Sequence, residues 1–144
     1  NGPVAGYQLM DIQATLVGSS VHDTDSEEVA YKIAASIAFR DAARQAKPQL
    51  LEPLSKIEIT VPDDFMGNVI ADLNSRRGRV LSMAPRGNVQ VIKGEVPLAT
   101  MFGYSTDVRS ISQGRATFTL EVSHYEVVPP KIQSEILLKI GRVL

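Results

Sequence analysis

Three short polar stretches hold the side chains in this 144-residue chain that could do chemistry. The first is Asn74-Ser75-Arg76-Arg77-Gly78-Arg79. Basic residues and a glycine suit a helix C-terminus, where positive charge complements the dipole. The arginines exceed what capping needs, and a guanidinium fork fits phosphate oxygens. The second stretch is Arg109-Ser110 followed by Gln113-Gly114-Arg115, which likewise sets arginine beside a serine and a Gly-Arg pair. The third is His22-Asp23-Thr24-Asp25. A loop with an N-cap accounts for Asp25 there and leaves His22 and Asp23 unexplained.

Other chemistries find little support. The chain has two histidines, His22 and His124, and no cysteine. No pair of ligands stands at helical i, i+4 spacing, so no metal site is expected. No Gly-x-Ser-x-Gly elbow occurs, and no phosphate-cradling P-loop, so neither nucleophilic catalysis nor nucleotide binding of that kind is expected. A formal charge of −1 supplies no global field for polyanions, which leaves local arginine clusters to make any nucleic-acid contact. No apolar run approaches the ~20 residues of a membrane helix, and the first residues lack a targeting pattern.

These stretches need elements to position them. After a Gly- and Pro-rich start, Met10, Ile12, Ala14 and Leu16 alternate with polar residues, which predicts a half-buried strand. Asp25 and Glu28 form a capping-box pattern, and Val29, Ala30, Ile33, Ala34, Ile37, Ala38 and Ala42 mark one face of a helix over residues 26–47. One strand and one helix cannot cover their own apolar faces, so residues 1–50 read as the tail end of a larger domain.

Ile57, Ile59 and Val61 predict the next strand; Pro62-Asp63-Asp64 opens a helix with Phe65, Met66, Val69, Ile70 and Leu73 on its buried face. Arg76-Arg77-Gly78 closes that helix, with the glycine expected at the C′ position. Val80, Leu81 and Met83 lead through Pro85-Arg86-Gly87-Asn88 to a return strand at Val89, Val91 and Ile92, and Gly94 marks a bulge. A second helical segment starts at Pro97, with Met101, Phe102, Val108 and Ile111 as its core residues. Ala116, Phe118, Leu120 and Val122 then alternate as a strand, and Pro129-Pro130 precedes a short terminal helix.

The chain repeats itself. Val61-Pro62 leads to Asp72-Leu73-Asn74-Ser75 and Gly78-Arg79, as Val96-Pro97 leads to Asp107-Val108-Arg109-Ser110 and Gly114-Arg115. Residues 53–123 therefore read β-α-β-β-α-β, an α+β ferredoxin-like sandwich with four antiparallel strands under two helices. It is preceded by the partial strand–helix unit of a second α+β domain.

Several motifs resemble the C-terminal part of the bacterial elongation factor G family, a translational GTPase family. They are Leu50-Leu51-Glu52-Pro53, the run from Met66 through Asn74-Ser75-Arg76-Arg77-Gly78, Val96-Pro97-Leu98, Met101-Phe102-Gly103-Tyr104-Ser105-Thr106-Asp107-Val108-Arg109-Ser110, and Gln113-Gly114-Arg115. The resemblance implies that residues 1–50 are the C-terminal part of domain IV and residues 51–144 are domain V with its C-terminal helix. It implies a cytoplasmic parent that uses GTP, with Mg, to drive tRNA and mRNA through the ribosome. The GTPase domain is not part of this stretch, so the chain itself is expected to hold no cofactor and to be no enzyme.

By the same resemblance His22 and Asp23 match the tip that enters the decoding site, with Val21 where the family commonly has tyrosine. Arg109, Ser110, Gln113 and Arg115 match the segment that approaches the sarcin-ricin loop of large-subunit rRNA, near the stalk base. Asn74, Arg76 and Arg77 are further rRNA-contact candidates. An incomplete domain IV would expose an apolar helix face, so self-association is expected. A free-standing ferredoxin-like regulatory or ligand-binding module and a fragment of a ribosome-recycling paralogue are the alternatives.

Overall fold

The computed structural model describes residues 1–21 and 27–141. They form two compact units, one of Leu51–Val127 and one of Asn1–Leu50 with Val128–Leu144.

The Leu51–Val127 unit is built on strand β1 (Leu51–Pro62), whose Ile57, Ile59 and Val61 are buried while Lys56 is exposed. Helix α2 (Asp63–Ser75) follows at once, with acidic Asp63 and Asp64 in the first turn, where the helix dipole favours them. Strands β2 (Arg79–Arg86) and β3 (Val89–Pro97) form a hairpin closed by Gly87-Asn88. A 3-10 turn at Leu98–Thr100, helix α3 (Tyr104–Ile111) and strand β4 (Thr117–Val127) complete the unit.

The sheet order is β2-β3-β1-β4, and every neighbouring pair is antiparallel. Each crossover helix thus joins two strands with a third strand inserted between them, the split βαβ arrangement of a ferredoxin-like fold. One layer of helices covers one sheet face. Val69 and Leu73 of α2 and Tyr104 and Val108 of α3 pack with Ile57, Ile59, Val61, Ile92, Val96, Met101 and Ala116 in a single core. Tyr104 meets Phe118 edge-on, with ring centroids 4.9 Å apart.

Several local expectations change. β1 begins at Leu51, before the alternating residues start, because its first rungs pair with β4 from Leu51↔Val127 onward. Pro53 is tolerated there because pairing with β3 begins only at Leu54↔Pro97, so one side of the strand needs no donor. The bulge lies opposite Gly94, between Val80 and Ser82 of β2. A Cβ on Gly94 would come within 2.6 Å of the Arg79 carbonyl oxygen, which is why this spot takes glycine.

The segment after Pro97 is not one helix. It makes a 3-10 turn, and Gly103, in the left-handed region at φ 76°, restarts the chain as α3. That break turns Phe102 outward, 96% exposed, and gives its expected core place to Tyr104.

In the other unit, helix α1 spans Glu28–Gln45 and helix α4 spans Pro130–Lys139. The expected capping residue Asp25 lies outside the described residues; Glu27 stands at the N-cap without a side-chain bond. The alternation around Met10, Ile12 and Leu16 does not become a strand, and all three side chains are exposed. A strand without a ladder partner has nothing to fix it, and none is present among the described residues. α1 buries no residue, and Val29, Ile33 and Ile37 lie open along one side. Another side, with Lys32, Ala35, Ser36, Phe39, Arg40 and Ala43, lines a shallow hollow with Asn1 and Pro3.

Candidate functional site

Both helices of the sandwich end in the same way. At the end of α2 the Gly78 N–H donates to the Leu73 carbonyl at 2.9 Å, and Arg77 takes the left-handed conformation at φ 61°. At the end of α3 the Gly114 N–H donates to the Arg109 carbonyl at 2.8 Å, and Gln113 stands at φ 53°. These are two Schellman caps, with Arg77 and Gln113 at C′ and each glycine one place later. The C′ position expected for Gly78 thus belongs to Arg77. Gly78 is glycine because a Cβ there would meet the Leu73 side chain at 2.6 Å and its carbonyl oxygen at 2.7 Å.

The arginines of the first cap are engaged within the fold. Arg76 donates from Nε to Asp72 at 2.9 Å, from one terminal nitrogen to the Thr100 carbonyl at 2.7 Å and from the other to Asp107. Its guanidinium also lies 5.0 Å from the centroid of Tyr104. Burial works against its charge, but Asp72 and Asp107 outweigh that and raise its pKa. Arg77 forks onto the carboxylate of Glu52 with two 2.8 Å bonds. Arg79 pairs with Glu95 at 2.8 Å. The surplus of arginine over capping needs is accounted for by three ion pairs reaching into other elements. Asn74 is exposed.

The second cap is different. Arg109, Ser110, Gln113 and Arg115 are all exposed. Arg115 lies with its guanidinium 5.9 Å from the centre of the Phe65 ring, and neither Arg109 nor Arg115 belongs to an ion pair among the described residues. Ser112, just inside the turn, is buried and braces it: its hydroxyl donates to the Val108 carbonyl at 2.6 Å and accepts from the Ala116 N–H at 3.0 Å. The exposed polar side chains therefore project from a fixed backbone.

The fold separates the two basic stretches. Arg76, at the end of α2, touches Asp107 in the first turn of α3, whereas Arg115, after α3, lies over Phe65 in the first turn of α2. The helices therefore run antiparallel, and their caps lie at opposite ends of the layer. The 13 residues of α2 put the caps ~20 Å apart at 1.5 Å per residue. His22 and Asp23 fall outside the described residues.

Sequence reasoning missed the acidic partners Glu52, Asp72 and Asp107. Asp72 carried a usable signal, since it stands four residues before Arg76, the spacing at which helical side chains pair. Also missed was a group of Glu95, His124 and Glu126, whose donor atoms lie within 4.8 Å of one another.

Comparison with known proteins covers nearly the whole chain. Residues 49–136 match the family model described as Elongation factor G C-terminus, and residues 1–47 match Elongation factor G, domain IV. Elongation factor G of Fervidobacterium nodosum is 53% identical over 136 residues, which is 94% of this chain and 20% of that protein. The chain thus spans about a fifth of the length of this relative. A crystal structure of a Thermus thermophilus protein superposes with a TM-score of 0.84 at 37% identity, over 97% of this chain and 21% of that one. The chain belongs to the elongation factor G family.

Proposed function

We propose that this chain is the ribosome-facing C-terminal part of a cytoplasmic translation factor whose whole form binds GTP and Mg and promotes GTP-dependent movement of tRNA and mRNA. The chain itself carries out no catalysis. Its contribution is contact with ribosomal RNA, through the α3 cap toward the sarcin-ricin loop and stalk base and through the His22-Asp23 tip toward the decoding site.

One observation carries the RNA-contact reading: Arg109 and Arg115 stand exposed on a braced cap without an ion-pair partner among the described residues, beside Ser110 and Gln113. Guanidinium groups in this setting suit phosphate oxygens, and the hydroxyl and amide suit sugar and phosphate. Asn74 remains a secondary candidate at the other end. Arg76 and Arg77 contribute by holding the layer together, since both are committed to internal carboxylates.

The test is binding to isolated large ribosomal subunits over a salt series. Arg109→Ala and Arg115→Ala each weaken binding and lower the salt slope by ~1 for every phosphate left without its guanidinium. Arg86→Ala, an exposed control in the β2–β3 hairpin, leaves both unchanged. Affinity and slope untouched by both cap substitutions would overturn the reading. In the full-length factor, His22→Ala is expected to slow translocation while ribosome-stimulated GTP hydrolysis stays near normal; equal loss of both would defeat a separate role for the tip.

A further inference from the structure

Glu95, His124 and Glu126 form a mixed nitrogen–oxygen donor group within the Leu51–Val127 unit. His124 and Glu126 stand two residues apart on β4, so they share a sheet face. Glu95 comes from β3, on the far side of β1. One donor atom from each of the three lies within 4.8 Å of the others, close enough for small side-chain rotations to bring them around one ion.

His124 is already oriented. Its Nδ1 lies 2.9 Å from Ser123 Oγ and its Nε2 lies 2.9 Å from Glu126 Oε1. The side chain of Glu95 is only 15% exposed and is held by Arg79 at 2.8 Å. Arg79 is the ion-pair partner of Glu95, whereas Glu126 has no Lys or Arg partner among the described residues.

We propose that Glu95, His124 and Glu126 bind a divalent transition-metal ion, with Zn2+ the best fit. An imidazole nitrogen with two carboxylate oxygens is a three-ligand zinc set that leaves a fourth position for water. Mg2+ and Ca2+ prefer all-oxygen sites of higher coordination and are poorly served by it.

A ligating imidazole turns the Nε2 lone pair to the ion and carries its proton on Nδ1, where Ser123 Oγ, 2.9 Å away, can accept it. This is the outer hydrogen bond that fixes a ligating histidine elsewhere. Arg79 competes for Glu95 and sets the affinity downward. A search for helical ligand spacing does not see the group, because its ligands stand at i, i+2 on one strand and on a second strand distant in sequence.

The test is a titration of the 144-residue chain with Co2+, read by visible absorption, followed by displacement with Zn2+. The expected result is saturable binding at one ion per chain, with the band removed by an equivalent of Zn2+. His124→Ala and Glu95→Gln each weaken binding by ~10-fold or more, while His22→Ala, at the chain's other histidine, leaves it unchanged. Arg79→Ala tightens binding by freeing Glu95. No saturable binding, binding by His124→Ala within about twofold of the unsubstituted chain, or weaker binding by Arg79→Ala would each overturn the proposal.

Discussion

Arg77 lays both terminal nitrogens against the carboxylate of Glu52, each at 2.8 Å, and so ties the end of α2 to the first rungs of β1. The Glu52 side chain is 10% exposed and that of Arg77 is 30% exposed, so the pair is largely withdrawn from water. Removing one partner from such a pair leaves the other's charge poorly compensated. Glu52→Ala is expected to cost about 2–4 kcal/mol in urea unfolding, and the double substitution with Arg77→Ala less than the sum of the two. A loss below about 0.5 kcal/mol, as for an exposed pair, would deny the fork its structural role.

Tyr104 gives the fold an alkaline limit. Burial of its hydroxyl, with a further push from Asp72 against the pull of Arg76, raises its pKa from 10.0 to about 12. The folded state thus favours the neutral phenol, while the unfolded chain ionises near the ordinary value. Stability is whole below pH 10 and falls from there to about pH 12. The hydroxyl has no hydrogen-bond partner among the described residues, so Tyr104→Phe should be near neutral at pH 7 and flatten the decline. Unfolding curves against pH for both forms decide it, and parallel declines would refute the assignment.

Two glycines in or beside α2 should respond in opposite directions. Gly67 is exposed within the helix, and a Cβ there meets nothing within 4 Å. Gly67→Ala should stabilise by about 0.5–1 kcal/mol through helix propensity. Gly78→Ala forces a Cβ to 2.6 Å from Leu73 and should cost about 1–3 kcal/mol. Thermal midpoints moving the same way for both would contradict this account of the cap.

The open apolar side of α1 makes a claim on solution behaviour. Val29, Ile33 and Ile37 are 64%, 56% and 56% exposed, one turn apart on one helix side. We expect this chain to self-associate through that stripe, and Ile33→Glu with Ile37→Glu to return it to a monomer. Sedimentation velocity across a concentration series checks it; a monomer throughout for the unsubstituted chain would remove the expectation.

The sandwich is legible in the sequence because its signals are local and redundant. Ile57, Ile59 and Val61 alternate with polar residues, Pro62 opens α2 and Gly87-Asn88 closes the hairpin, so periodicity and turn chemistry agree. Phe102 departs from its expected place because an inward position needs an unbroken helix, which the left-handed Gly103 interrupts. Met10, Ile12 and Leu16 show the opposite failure, a clean alternation that has no ladder to join. The arginines are visible in the sequence, but their allegiance is not. Only part of what separates Arg76, which three elements grip, from Arg109, which faces water, is local: Asp72 stands four residues before Arg76 where Ser105 precedes Arg109, but the further carboxylates lie 31 residues away at Asp107 and, for Arg77, 25 away at Glu52.

The pairing of Leu51 with Val127 has a mechanical consequence. The chain enters and leaves the sheet unit at one end of the same antiparallel ladder, so tension between those ends loads its hydrogen bonds in sequence, as on a zipper, instead of all at once in shear. Such a unit opens rung by rung when pulled at its ends, from the Leu51↔Val127 pair inward.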